Sequence, residues 1–463
     1  MSDHRPSARH GGFFHPVVMM LVILVAAASL TYVIDAGIFE RKNGLVIPDS
    51  FQKIEKQAGI ETLFATRMPP SGDHVARAAS FTSVMEAIPR GMIKSGPIIF
   101  MVLFVGGLFG VLRQSGAIDA SVERLAKLST NNPKVLAVML MVVLGLGSTF
   151  LGFISEYLVV IPLVAALGQR MGYPPIFAMA IVGVAAKIGY AASVTNPLAL
   201  SVAQPLAGVP LFSGLELRAL VFAIFMTLGL AWTLYVIHRI IPTGQTAIAD
   251  HPAPMKPRHV RALAVFILGA IGLVTGARWW GWGSMEFSAY YIALALAIGS
   301  VSGIGVTAAC DAFVDGMKSM MLAALLVGLA SSVEIILQSA QVMDTIIISA
   351  VQLTAGQSHG TVALGLMATE MMLDIFIPSV SGKAAVSMPI LVPIAHAAGI
   401  EPNVLILAFI MGSGLTNMVT PTSGMLLAYL TVAGVSYLDW LKFVLPLFAT
   451  LVAVAALILW VCA

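Results

Sequence analysis

Two kinds of polar string interrupt an otherwise apolar chain, and each kind occurs twice. Ser155-Glu156-Tyr157 and Ser381-Gly382-Lys383 each open a short apolar segment with a proline inside it, Pro162 and Pro389. About forty residues further on, a polar, proline-containing string breaks an apolar run. The first break is Thr195-Asn196-Pro197; the second runs from Asn417 through Thr420-Pro421-Thr422-Ser423-Gly424. Proline removes a backbone donor and frees a carbonyl one turn back. In hydrocarbon an unsatisfied backbone group costs several kcal/mol, so such breaks persist where they line a cavity or bind something. Half-helix N-termini present N–H groups and a positive dipole end to an anion. Freed carbonyls and Ser, Thr or Asn oxygens suit a small cation such as Na+. The pattern predicts solute or ion binding at Ser155, Glu156, Thr195, Asn196, Pro197, Ser381, Gly382, Lys383, Asn417, Thr420, Pro421, Thr422 and Ser423. Na+ near Ser155, Thr195 and Asn196 is the one metal candidate.

Charged residues in or beside apolar segments are few: Glu156, Lys187, Glu334, Glu370, Asp374 and Lys383. Each costs about 2.5–3.5 kcal/mol if central in a span. Lys383 is expected to act as a fixed or protonatable cation that replaces Na+ or pairs with a substrate carboxylate. Glu334 and Glu370 read equally well as lying near span ends, and Arg218 as a cap or interfacial anchor. Trp279-Trp280-Gly281-Trp282 reads as an interfacial aromatic belt. The nine histidines show no metal-ligand spacing, and Cys310 and Cys462 are the only cysteines, so no disulfide framework is expected. Neither a nucleophile with its base nor a P-loop is present, which argues against an enzyme or a self-contained pump.

The elements that carry these strings are membrane spans. Of 463 residues, 59% are hydrophobic and 10% charged, with a formal net charge of +3 and a mean hydropathy of +0.95. That excludes a large soluble enzyme, a disordered chain and a nucleic-acid binder. Counting apolar runs of roughly 20 residues predicts an all-α integral membrane protein. It has about eleven transmembrane helices plus two re-entrant hairpins. A polar tail (1–16) precedes a first helix (17–38), read as an uncleaved span rather than a signal peptide, and an extramembrane loop (39–91). A first repeat (92–240) holds a hairpin near 152–173 and a broken helix at 176–208. A basic linker (241–261) and connecting helices (262–307) follow. The second repeat (308–463) holds a hairpin near 378–399 and a broken helix at 403–433. The tail, the Arg113–Lys134 loop and the Lys256–Arg261 linker are all basic, and this span count does not put all three on one side; orientation stays open.

The repeat rests on matches in shared order at a shift of about 225 residues. Gly91-Met92 answers Gly316-Met317, Gln114-Ser115 answers Gln338-Ser339, and Ile161-Pro162-Leu163 answers Met388-Pro389-Ile390. Gly172 and Pro175 fall on Gly399 and Pro402. A duplicated apolar chain with paired helix breaks points to a secondary transporter, with a channel as the alternative of a different class.

The string from Asn196-Pro197 through Ala203-Gln204-Pro205-Leu206-Ala207-Gly208-Val209-Pro210-Leu211-Phe212-Ser213-Gly214, with Arg218, resembles the YfcC-type branch of the anaerobic C4-dicarboxylate carrier family. So do Ile377-Pro378-Ser379-Val380-Ser381-Gly382-Lys383-Ala384-Ala385 with Met388-Pro389, and Thr416-Asn417 with Pro421-Thr422-Ser423-Gly424. The resemblance spans about Ile88 to Leu447. It implies the ion-transporter superfamily architecture: two inverted repeats, each with a hairpin and a broken helix, often in a homodimer. Sodium-coupled dicarboxylate carriers of that superfamily place Ser-Asn-Thr at both hairpin tips. Here Ser155 and Ser381 carry over, while Glu156-Tyr157 and Gly382-Lys383 depart. The expected function is alternating-access transport of a carboxylate-bearing solute of the C4-dicarboxylate type across a bacterial inner membrane. A basic amino-acid antiporter and a short-chain fatty-acid carrier are the alternatives within the fold. Coupling is to Na+ or H+, or by exchange. No cofactor is expected; the partners are a small-molecule substrate and the lipid bilayer, with no nucleic acid.

Overall fold

The computed structural model of the chain describes residues 16–42, 45–46, 50–65, 75–118, 132–240, 256–352 and 357–463. The tail with Arg5 and Arg9, Asp119, and most of the basic linker with His251 lie outside these residues. After α1 (Pro16–Val33) the loop carries three short strand pairs among the described residues. Gly37–Ile38 with Gln52–Lys53 and Arg41–Lys42 with Leu45–Val46 are antiparallel; Glu55–Gln57 with Val75–Arg77 is parallel.

Everything else that is regular is helical. The first half contains α2 (Phe81–Lys94), α3 (Gly96–Gln114), α4 (Pro133–Leu151), α5 (Val160–Arg170), α6 (Ile176–Ala192), α7 (Pro197–Leu206) and α8 (Leu215–Arg239). Then come α9 (Pro257–Trp279) and α10 (Ser284–Ser302). The second half contains α11 (Val306–Ser319), α12 (Met321–Ser339), α13 (Met343–Gln352), α14 (His359–Phe376), α15 (Val380–Ala397), α16 (Pro402–Thr416), α17 (Gly424–Ala433) and α18 (Tyr437–Cys462). Among the described residues, six helices are long and apolar enough to cross a bilayer, and five shorter apolar helices accompany them. Large apolar side chains lie exposed on several, such as Met139, Val143, Leu268 and Leu457. A helix surface of that kind faces lipid, where it costs nothing. The chain is a multi-pass, all-α membrane protein.

Among the described residues, most helices of the second half have a counterpart in the first. Helices α2 and α11 each have 14 residues, and α3 and α12 each have 19, at the same offset of about 225 residues. They pack crosswise: α2 lies on α12 and α11 lies on α3. Small residues permit both approaches. A Cβ on Gly91 would stand 2.4 Å from the Gly328 carbonyl oxygen, and one on Gly316 would stand 2.2 Å from that of Gly106. Backbones this close require glycine. At equivalent points Gly172 (φ 80°) and Gly399 (φ 70°) turn the chain out of α5 and α15 in the left-handed conformation that favours glycine.

Two local readings change. Residues 81–91, expected as the end of a loop, form most of α2. That helix is amphipathic, with Ser83, Val84, Ala87 and Gly91 buried, so its polar face hides it from a hydropathy count. The apolar run from Met317 to Leu337, long enough to be expected as one span, is shared by two helices that meet at Met320.

Candidate functional site

Each proline-containing hairpin segment returns from the helix before it. In the first half α4 ends in a π-helical turn at Gly147–Leu151, and the chain reverses through Ser155–Leu158 into α5. In the second, α14 ends at Phe376 and Ser379 caps α15 by accepting from the Gly382 N–H. The two breaks are real interruptions. Helix α6 stops at Ser193 (φ 41°) and α7 resumes at Pro197; α16 stops at Thr416 and α17 resumes at Gly424.

The π-helical end of α4 and the first break are bonded to each other. The Val194 N–H donates to Thr149 Oγ1 at 3.0 Å and the Thr195 N–H to the Thr149 carbonyl at 3.1 Å. Thr195 Oγ1 donates to the Phe150 carbonyl at 2.9 Å, and Asn196 Nδ2 to Ser193 Oγ at 3.1 Å. Glu156 turns back on its own tip, where its Oε2 accepts from the Ile154 N–H at 2.9 Å and from Ser155 Oγ at 3.4 Å. Tyr429 of α17 donates its hydroxyl to the Ile154 carbonyl, so the second broken helix touches the first tip.

At the second tip and break four charges are buried. Lys383 is completely buried, and its ammonium lies 2.8 Å from Asp374 Oδ1, 3.4 Å from the Glu370 carbonyl and 3.5 Å from Glu370 Oε2. Asn417 Nδ2 donates to the other Asp374 oxygen at 3.2 Å. Asn417 Oδ1 accepts from Ser423 Oγ at 2.6 Å and from Lys187 Nζ at 2.7 Å. Lys187 comes from α6, in the other half, and is 1% exposed. The Lys187 ammonium lies over the Tyr429 ring and the Lys383 ammonium over the Phe409 ring, at 5.9 and 5.6 Å from the centroids. Ionisable groups buried this deeply require such mutual pairing. Helix packing holds them: a Cβ on Gly412 would lie 2.8 Å from Glu370 Cβ, and one on Gly414 2.3 Å from Ala191 Cα.

Of the residues expected at the site, Lys383, Asn417 and Ser423 meet in this cluster. Thr420 and Thr422 are buried but bond to each other at 2.7 Å. Pro421 is half-buried and Gly382 is exposed. Ser155 and Glu156 bond within their own tip, while Thr195 bonds the end of α4 and Asn196 bonds Ser193. Pro197 opens α7 and Ser381 lies in the first turn of α15; their side chains fall outside the described residues. Lys187, Glu370 and Asp374 were visible as intramembrane charges, but nothing local marked them as one site. The spacing of Glu370 and Asp374, four apart and hence on one helix face, was the available signal. Glu370 lies in the interior, not at a span end, while buried Glu334 pairs with Lys94 at 2.7 Å.

Several carbonyls at the breaks have side-chain donors. Trp440 Nε1 donates to the Met418 carbonyl at 2.8 Å, and the Tyr437 hydroxyl to that of Val419. Arg218, expected as a cap or surface anchor, is 1% exposed. Its guanidinium donates to the Val194 carbonyl at 3.2 and 3.1 Å and to the Ser213 carbonyl at 2.7 Å. Gln204 holds the same loop by accepting from the Phe212 N–H and donating to the Ser213 carbonyl. The Gln204-to-Arg218 string thus fastens the first break. Arg218→Lys should keep the charge but lose the fork. We expect lower transport with protein that still folds, checked by vesicle uptake alongside thermal unfolding.

Paired broken helices, returning hairpins and a buried charge cluster joining the halves define a membrane transporter. The chain belongs to the C4-dicarboxylate anaerobic carrier family, DcuC, whose sequence model matches residues 14–463. It is 26% identical to a protein of Escherichia coli K12 named "Putative basic amino acid antiporter YfcC", over 92% of this chain and 91% of that one. It is 24% identical to an uncharacterized protein of Haemophilus influenzae over 90% of this chain and 81% of that one. Two solved structures are similar along the chain. The Alcanivorax borkumensis YdaH transporter has 18% identity and a TM-score of 0.45, covering 96% of this chain and 98% of its own. Neisseria gonorrhoeae MtrF, described with a class of antimetabolite efflux pumps, has 16% identity and a TM-score of 0.44, covering 96% and 94%.

Proposed function

We propose that this protein is a secondary active carrier of the bacterial inner membrane that moves a small carboxylate-bearing solute of the C4-dicarboxylate type by alternating access. The observation that carries the reading is the Lys187–Asn417–Asp374–Lys383 chain of contacts, which ties tip and break of one half to the broken helix of the other. A site built across the seam of two repeats is disturbed when one moves on the other, as a carrier requires. A separate open space, lined by none of these four residues, also lies between the halves. A cavity of about 300 Å³ opens between α3 and α11 on one side and α5 and α17 on the other, with Arg113, Gln114, Pro162, Asp315 and Val432 among its lining. Lysine ammonium groups favour a carboxylate solute. Glu370, a buried carboxylate whose oxygens accept no hydrogen bond, favours a second reading, exchange of a basic amino acid.

The test is counterflow in proteoliposomes preloaded with succinate, arginine or butyrate, with and without Na+. Saturable exchange of succinate supports the first reading and of arginine the second. A conductance without saturable counterflow overturns both in favour of a channel. Thermal unfolding of the detergent-solubilised protein with the same solutes gives an independent check, since a specific ligand raises apparent stability by mass action.

A further inference from the structure

We propose that Glu370 is the proton-exchanging group of this carrier and that the ammonium of Lys383 is a tethered cation, so that transport is driven by a proton gradient and needs no Na+. The inference rests on the carrier reading and adds the coupling ion. Lys383 places a positive charge at the second hairpin tip, 2.8 Å from a carboxylate oxygen. A free cation bound there would have to displace it. Two carbonyls of the same break, Met418 and Val419, already accept from Trp440 and Tyr437.

The two carboxylates differ in what they hold. Asp374 uses both oxygens, one on Lys383 and one on Asn417. Both Glu370 oxygens are buried without a hydrogen bond, and the Ser387 hydroxyl that faces Glu370 is likewise buried and unpartnered. Asp374 cannot take a proton without breaking the bonds that hold the helix break. Glu370 has only the longer 3.5 Å contact with Lys383 to give up. Among the described residues, the charged groups acting on Glu370 are Lys383 from α15 and Asp374 on its own helix. Helix α6 brings Lys187 and Tyr190 to Asp374, and α16, which packs on Glu370 at Gly412, has no titratable side chain. The neighbouring α12, α13 and α18 contribute Glu334, engaged with Lys94, Asp344, with the Phe39 N–H, and Asp439, with Ser436, while Lys442 of α18 is exposed.

The exchange balances as follows. Glu370 as the neutral acid gives its proton to water admitted at the tip and becomes a carboxylate. The Lys383 ammonium moves from Asp374 to Glu370, a shift allowed by the present 2.8 and 3.5 Å separations. Asp374 then keeps only Asn417, whose Oδ1 is shared by Ser423 and Lys187. Proton loss at Glu370 therefore reaches the helix break and the other half, and by linkage a solute bound at the break changes proton affinity in return.

The experiment uses the full chain in phosphatidylethanolamine–phosphatidylglycerol vesicles, with radiolabelled succinate and arginine as probes. In the wild type a pH gradient should drive accumulation equally in Na+ and in N-methylglucamine media. In Glu370→Gln the ratio of gradient-driven accumulation to counterflow, both read in the same vesicles, should fall about tenfold or more, the size of a typical coupling factor. Glu370→Asp should restore gradient-driven uptake with a displaced pH profile. Wild-type uptake that requires Na+, or a Gln variant that accumulates solute as the wild type does, overturns the inference and leaves the carrier reading standing. If the Gln variant does not fold, the Asp variant decides: a profile superimposable on the wild type overturns the inference. Absence of counterflow for both probes in the wild type overturns the carrier reading and this inference with it.

Discussion

Replacing Lys383 by methionine should abolish transport and destabilise the folded protein by about 3–5 kcal/mol, the usual cost of removing one member of a buried ion pair. The reason is what stays behind. Asp374 would keep Asn417 but lose the ammonium at 2.8 Å, and Glu370 would lose its counter-charge at 3.5 Å. Two buried carboxylates would then depend on Lys187, which reaches Asp374 only across the Asn417 amide. The double variant Lys383→Met with Asp374→Leu should regain much of the lost stability, because an apolar pair of similar volume replaces the ionic one. It should not regain transport. Thermal unfolding in detergent and vesicle uptake, read on the single and double variants, separate the two roles. Full transport in Lys383→Met would refute the assignment of this lysine to the site.

The second large effect is expected at a residue with no side chain. Gly414→Val should lower stability by about 1–3 kcal/mol or more, as overpacking does, and should reduce transport far beyond that loss. A Cβ there would stand 2.3 Å from Ala191 Cα and 2.7 Å from both its Cβ and its nitrogen. Those atoms are backbone or next to it, so no side-chain rotation relieves the clash; α6 and α16 must separate. Lys187 lies one turn before Ala191, and Asn417 lies three residues after Gly414. Their 2.7 Å contact is therefore the first polar bond to open. Gly434→Ala is the control, because nothing lies within 4 Å of a Cβ there and only its φ of 70° is strained. It should cost some stability and leave uptake largely intact. Equal uptake in Gly414→Val and the wild type would show that the crossing does not position the site.

Much of the molecule was legible in advance because membrane insertion is a local rule. The penalty for unsatisfied backbone in hydrocarbon forces helices, and their lengths follow the bilayer. The helix breaks at Thr195-Asn196-Pro197 and at Asn417 through Ser423 were visible for the same reason: polar, proline-bearing strings cannot continue an apolar helix. Ser423 shows how far such reading goes. A serine ahead of an apolar run marks an N-cap, and it does accept from the Leu426 N–H. Its second bond, to Asn417 Oδ1, has no local signature. Helix α2 was misread in the other direction, since its polar face satisfied the criterion for a loop.

The sequence by itself determined that this chain spans a membrane many times, that its second half answers its first, and where helices must stop. Tertiary structure alone decided which charges share a site. Lys187 and Asn417 are 230 residues apart, Asn417 and Asp374 are 43 apart, and Arg218 meets Val194 across 24. It also separated Glu156, folded onto its own tip, from Lys383, although the two occupy equivalent places in the repeat. Hydropathy and capping act over one or two turns of chain. A buried charge is settled by whichever opposite charge the packing of distant helices brings within about 3 Å, and no short window of residues contains that information.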